Sequence, residues 1–381
     1  MLTKRRFFAS ALLALALLSA AACAQIDLAP YEIPDSAMAQ ITLIQPGLLL
    51  IRHDSTMNDG TVPTSVILYQ NGQPIFSRQF DNDGDWRLFS TFLMSEACYG
   101  YVLADHGDPT LGRLFVRLTG SGPSPLLQLT DHRHSVRLMN FGIAFLYETD
   151  TACALQLLDW QGRLKVDYAL DPALRYLMLG STLLADGTLR ALTVDRPRAD
   201  SDESARMILR TFSKAGALRS EQAVQSPYIG GFNDTVAFAS DGGLVVCTAP
   251  LADYKIQQII RTDAQNNVLY QKMLSAPKTV VDISGAQPSP DGSVTLYGSA
   301  MANSRELFTV FRLDLDAQGN VAALDVRDFT TRATYLYSVR LDPLGNAYAV
   351  AQDYKHPIAV VPFEALPVCD NPGLTLTNGG I

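Results

Sequence analysis

From residue 39 onward the chain alternates short apolar runs with polar turn clusters, the runs lasting about five to eight residues. Within the runs, apolar and polar positions alternate or the run is apolar throughout, the period-2 signature of strands. No helical periodicity of useful length follows the first 22 residues. Two sets of turns punctuate the strands. One includes "LLADGTLRALTV" at Asp186-Gly187, "AFASDGGLVVCTA" at Asp241-Gly242, "PSPDGSVTLYG" at Asp291-Gly292 and "RLDPLGNAYAVA" at Leu344-Gly345. The other includes "ILYQNGQPIFS", "LLDWQGRLKVD", "TFSKAGALRSE", "IRTDAQNNVLYQ" and "LDLDAQGNVAAL". Gly and Asn supply the positive φ that tight hairpins demand, so each cluster predicts a chain reversal.

The second set falls near residues 71, 120, 161, 215, 265 and 318, a period of about fifty that matches four-stranded propeller blades. One unit reads in full. "VVDISGAQPS", "SVTLYGSA", "ELFTVFRLD" and "VAALDVRDF" are joined by the Asp291 turn, a polar loop and the Gly319 turn. Seven units begin near residues 39, 87, 134, 176, 231, 279 and 335. The expected fold is therefore all-β, a seven-bladed β-propeller of four-stranded antiparallel blades, with a β-sandwich array as the alternative. Pro288-Ser289-Pro290-Asp291-Gly292 resembles the short repeat of bacterial WD40-like and TolB-like propellers, a resemblance that implies architecture and no functional residue. The seventh unit lacks a fourth strand, and "QIDLAPYEI" or "GLTLT" is expected to supply it and so close the ring. Closure would hide the edges that invite aggregation.

The first 22 residues stand outside this pattern. Lys4, Arg5 and Arg6 precede an apolar stretch and small residues, as in an export signal. Ala20-Ala21-Ala22-Cys23 resembles a lipoprotein box, with Cys23 the lipidated residue; cleavage before Gln25 is the secreted alternative. The expected organisation is residues 1–22 signal peptide, 23–38 linker or ring-closing strand, 39–366 propeller and 367–381 tail or ring-closing strand. The protein is expected on the outside of a bacterial cell membrane, as a monomer.

Removing the signal leaves 27 cations against 38 anions, a net charge of −11. Such a surface, with no Lys/Arg run, repels phosphate and excludes nucleic acid as a partner. Cys98, Cys153, Cys247 and Cys369 are far apart, which argues against zinc, and Cys153 and Cys247 lie in apolar runs as buried hydrophobes.

In a four-strand meander the tight turns share one end of the blade, and the middle loop and inter-blade link share the other. All five histidines fall on this link face, where irregular loops on a rigid scaffold concentrate binding residues. The candidate ligand-binding residues are Asp81, Asp83, Asp85, Trp86, Asp105, His106, Asp131, His132 and His134. Asp81, Asp83 and Asp85 could offer oxygens to Ca²⁺, but Ser90 stands where an EF-hand needs Glu, so a solvated acidic turn is the plainer reading. His132 and His134 have a spacing that metal sites use, yet no resident metal or cofactor is expected. Trp86, Tyr228, Tyr254 and Tyr354 are candidate platforms for sugars or peptides. No Gly-x-Ser-x-Gly elbow, His-Glu-x-x-His or phosphate loop occurs. The leading expectation is a non-enzymatic scaffold binding a protein, peptide or glycan. The alternative is a carbohydrate-active or other hydrolytic enzyme using carboxylates and histidines of the same face.

Overall fold

The computed structural model describes strand backbones from residue 37 to 148. Side chains are described from 142 to 379, apart from 148–151, 160–161, 199–204, 225–233, 250–254, 302–308, 330–337, 342–344 and 351–360. Residues 1–36, with the signal, Cys23 and "QIDLAPYEI", lie outside the described residues.

Among the described residues the strands form seven antiparallel sheets and no α-helix. The first sheet holds β1 (Ala37–Gln45), β2 (Leu48–Ser55), β3 (Thr64–Gln70) and β4 (Gln73–Phe80). The second holds β5 (Trp86–Phe92), β6 (Gly100–His106), β7 (Arg113–Thr119) and β8 (Gly122–Leu129). The third holds β9 (His134–Leu138), β10 (Gly142–Glu148), β11 (Cys153–Asp159) and β12 (Leu164–Leu170). The fourth is β13 (Leu174–Leu183), β14 (Leu189–Pro197), β15 (Arg206–Phe212) and β16 (Leu218–Gln225). In the fifth are β17 (Thr235–Phe238), β18 (Leu244–Thr248), β19 (Gln257–Thr262) and β20 (Val268–Ser275). The sixth comprises β21 (Thr279–Pro288), β22 (Val294–Ala302), β23 (Phe308–Leu315) and β24 (Val321–Asp328). Three strands, β25 (Leu336–Leu341), β26 (Ala347–Gln352) and β27 (Ala359–Pro362), make the seventh. The seven expected unit starts fall within four residues of the first strand of each sheet.

The first strands lie beside one another in order, β13 by β17, β17 by β21 and β21 by β25, and β25 returns to the side of β1. They form the inner edge of the arrangement. The sheets then pack face to face. Leu155, Leu157 and Val166 of the third sheet meet Met178, Ala191 and Phe212 of the fourth. Leu192, Val194 and Leu209 on the other face of the fourth meet Leu244, Val246 and Ile260 of the fifth. The alternation in the sequence is thus spent on two neighbours, so both faces of a strand read as apolar where the sheet is covered twice. Each large side chain buried completely here, such as Phe145 or Phe311, stabilises the fold by about 1.5–3 kcal/mol.

The tight turns all share one end. Gly187, Gly242 and Gly292 have φ of +83°, +94° and +93° and join the first two strands of three consecutive sheets. Gly162, Gly216, Asn266 and Gly319 occupy the same conformation between third and fourth strands. The Asp before each glycine of the first group keeps a negative φ and works through its side chain. Asp186, Asp241 and Asp291 accept hydrogen bonds from the amides of Thr188, Gly243 and Ser293 at 2.8, 2.9 and 2.9 Å. The amide and hydroxyl of Thr188 hold the Asp186 carboxyl, and the hydroxyl and amide of Ser293 the Asp291 carboxyl, below the ordinary Asp range. Side chains also latch each turn to the next sheet. Arg190 donates to the carbonyls of Gly242 and Ala264, Arg261 to Ser289 at 2.8 Å, and Gln287 to Gly345 at 2.8 Å.

After β27 a single 3-10 turn, Phe363–Ala365, leads into a strap along the outer rim. Asp328 donates its amide to Pro367 at 2.8 Å, Cys369 donates its own to Val326 at 3.0 Å, and Arg327 reaches the Leu366 carbonyl at 2.9 Å. Strand β28 (Thr375–Asn378) then pairs with β20 as the fifth strand of the fifth sheet. This corrects one of the two ring-closing expectations. "GLTLT" does not complete the three-stranded sheet, because the strap carries it backward past the sixth sheet to the fifth.

Candidate functional site

Middle loops and links share the end opposite the tight turns. Trp86 opens β5 and is the register partner of His106, the last residue of β6. One step inward, Arg87, Asp105 and Arg113 form a row across β5, β6 and β7. His134 opens β9 opposite Tyr147, and His53 lies opposite Ala39 and Ser65 near the end of β2. The meander thus brings Trp86, Asp105 and His106 together at the link end of one sheet and sets His134 at the link end of the next. Asp81, Asp83, Asp85, Asp131, His132, Tyr228, Tyr254 and Tyr354 lie outside the described residues.

A second group was not singled out from sequence. Cys247, near the end of β18, is buried completely. Burial pushes its thiol well up, and the carboxylates of Asp234 and Asp282 push it further. Cys247 is the register partner of Thr235, the residue after Asp234, at the link end of the fifth sheet. Asp234 immediately precedes β17 and Asp282 lies in β21, and these two inner strands are neighbours. Thr235 bonds the Ile283 carbonyl at 2.7 Å and fixes the spacing of those strands. Gly298 lets β22 approach there, since a Cβ at that position would stand 2.2 Å from the Asp282 carbonyl oxygen. The thiol remains protonated and apolar in character, which excludes it as a nucleophile at neutral pH. The carboxylates, each half-buried, are the groups with chemistry to offer. The signal that could have found them is a lone Asp at the head of an otherwise apolar first strand, in "NDTVAF" and "VVDISG".

A third group is saturated with its own partners. Arg210, 5% exposed, meets Asp195 at 2.6 Å and Glu221 at 2.5 Å, with Thr193 completing the set. Burial alone would lower the guanidinium pKa, but the bonds and charges of Asp195 and Glu221 outweigh it and raise it. Tyr176 lies 5.7 Å beneath the guanidinium, and burial followed by Asp195 drives its hydroxyl pKa up. This network lies within the fourth sheet, is joined to the third by Tyr168 donating to Glu221 at 3.3 Å, and leaves no open position. Among the described residues no group of three or more His, Cys, Asp or Glu is placed to hold a metal ion.

No family model matches the chain, and no curated protein matches it. Solved structures do. An ulvan lyase, representing a family of polysaccharide lyases, superposes with a TM-score of 0.51 at 8% identity, over 89% of this chain and 97% of that one. The β-propeller domain of the trilobed protease from Pyrococcus furiosus gives 0.49 at 8%, over 85% and 97%. A prolyl endopeptidase gives 0.48 at 11%, over 86% of this chain but only 46% of its own. At such identities the likeness establishes the fold alone. The chain has a β-propeller-like all-β fold.

Proposed function

We propose that the seven sheets are the blades of one seven-bladed propeller, exported from a bacterial cell and held to its membrane through Cys23. Its link face is the working face. That face takes a polymeric ligand, a glycan before a peptide, and acts on it with carboxylates and histidines. The observation that carries this reading is that two half-buried carboxylates, Asp234 just before β17 and Asp282 in β21, belong to neighbouring inner strands joined by the bond from Thr235 to Ile283. Two carboxyl groups on neighbouring strands can supply the general acid and the general base that work on sugar linkages requires. Trp86, at the link end of its sheet, is the residue type on which a sugar ring stacks. The fold-level likeness to a polysaccharide lyase agrees with a propeller of this size sufficing for such chemistry.

Binding without turnover on the same face is the second reading, and the polar, irregular links favour it. The test is to incubate the purified mature protein with neutral and uronate-containing polysaccharides, esters and peptides. Product is read as new reducing ends, unsaturated ends or free termini. Turnover lost in Asp234→Asn or Asp282→Asn, with the fold intact, supports the enzyme. Saturable binding without turnover overturns it in favour of the scaffold.

A further inference from the structure

The seventh sheet is one strand short, and its outermost described strand differs from those of the third, fourth and sixth sheets. β12 carries Lys165 and Asp167, β16 carries Arg219 and Glu221, and β24 carries Asp325 and Arg327. Such charges are how proteins guard an edge. β27 reads Ala-Val-Val-Pro without a charge, as the outer strands β8 and β28 also do, and is set apart by having only two other strands in its sheet. The strap that follows leaves at the turn end and crosses to β24 and β20, so it does not cover this edge.

We propose that residues 25–33, "QIDLAPYEI", form the fourth strand of the seventh sheet, antiparallel to β27. Chain direction supports this. β25 starts at the link end, because its other end runs into the Gly345 turn, so β27 runs from link end to turn end. An antiparallel fourth strand runs back to the link end, where β1 begins at Ala37 beside β25. Residues 34–36 would form the connection, as long as the three-residue links 171–173 and 276–278 between other sheets. Asp27 and Glu32 would give the new edge the charges β27 lacks, and Pro30 is admissible only on an edge strand.

The orientation of the molecule follows. Residue 25 sits at the turn end, two residues from Cys23. With the anchor proposed above at Cys23, the tight turns face the membrane, and the link face points away from it toward a ligand.

Two measurements test this without ligand or turnover, so their failure is distinct from failure of the enzymatic reading. Hydrogen exchange is compared between the mature chain and one beginning at Asp35. Faster exchange in β27 of the shortened chain, reversed by adding the peptide QIDLAPYEI, is expected. Unchanged exchange overturns the pairing, as does protection of β27 that varies with protein concentration, which would mark a second copy on that edge. For orientation, Gln318→Cys on the turn face and Ala173→Cys on the link face are made in a chain carrying Cys98→Ser and Cys369→Ser. Each is labelled with a fluorophore and anchored in phosphatidylethanolamine–phosphatidylglycerol vesicles containing a headgroup quencher. Stronger quenching at position 318 is expected; equal quenching, or stronger quenching at 173, overturns the orientation.

Discussion

Replacing Asp195 with alanine leaves the Arg210 guanidinium charged and 95% shielded from water, given its 5% exposure. At contact distance an ion pair is worth about 4 kcal/mol at an effective dielectric of about 20. Asp195 supplies that pairing through two oxygens, at 2.6 and 3.2 Å. Glu221 remains at 2.5 Å, but its side chain is 40% exposed, so water screens it and its share is about 1 kcal/mol or less. The expected cost of Asp195→Ala is therefore about 3–4 kcal/mol, in the range for breaking a buried pair. Glu221→Ala should cost about 0.5–1 kcal/mol. The pair Asp195→Leu with Arg210→Met, which removes both charges and keeps the volume apolar, should return to within about 1 kcal/mol of the parent. Urea unfolding reads all three as shifts in midpoint at constant slope. An Asp195→Ala variant no less stable than Glu221→Ala would refute the claim that burial sets the strength of this pair. So would a double variant that recovers nothing.

Three further outcomes are expected. Gly292→Val should destabilise by about 1 kcal/mol or more, because a β-branched residue resists a φ of +93°; a thermal midpoint equal to that of the parent would contradict this. Asp186, Asp263, Asp291 and Asp316 have folded pKa values below the ordinary one, so their contribution is present above the unfolded value of about 3.9 and lost as pH falls through the lowered folded values. Asp291→Asn with Asp316→Asn should flatten the fall in urea midpoint between neutral and acid pH. Deleting residues 367–381 should expose β24 and β20, measured as faster hydrogen exchange in both and concentration-dependent association.

Turns were the most legible part of the fold, because a positive φ admits few residue types. Gly187, Gly242, Gly292 and Gly319 announce reversals from the sequence, and their even spacing gives the unit. Cys153 and Cys247 were legible as core for the same local reason, an apolar run around a small side chain, and both are buried. The destination of "GLTLT" was not legible. A four-residue strand carries no mark of its partner, and β28 is sent to β20 by the path of the strap. Asp234 and Asp282 were passed over because a lone acid beside an apolar run reads as a strand end. Only the side-by-side placement of β17 and β21, far apart in sequence, makes them a pair. Arg190, Arg210 and Arg261 sit in strand interiors, where a charge signals a buried partner without naming it.

The strap sets an order of events as the chain emerges from its N-terminal end. β20 ends at Ser275 and its partner β28 begins at Thr375, a hundred residues later. At synthesis rates of about 5–20 residues per second, the interval is on the order of 5–20 s. Through it the nascent fifth sheet presents a bare template to any neighbouring chain, while the sixth waits about 40 residues, from Asp328 to Val368, on the order of 2–8 s. A stalled or prematurely terminated chain stays in that state. Its fate would then turn on how quickly a chaperone or protease reaches it, more than on the stability of the blades already made.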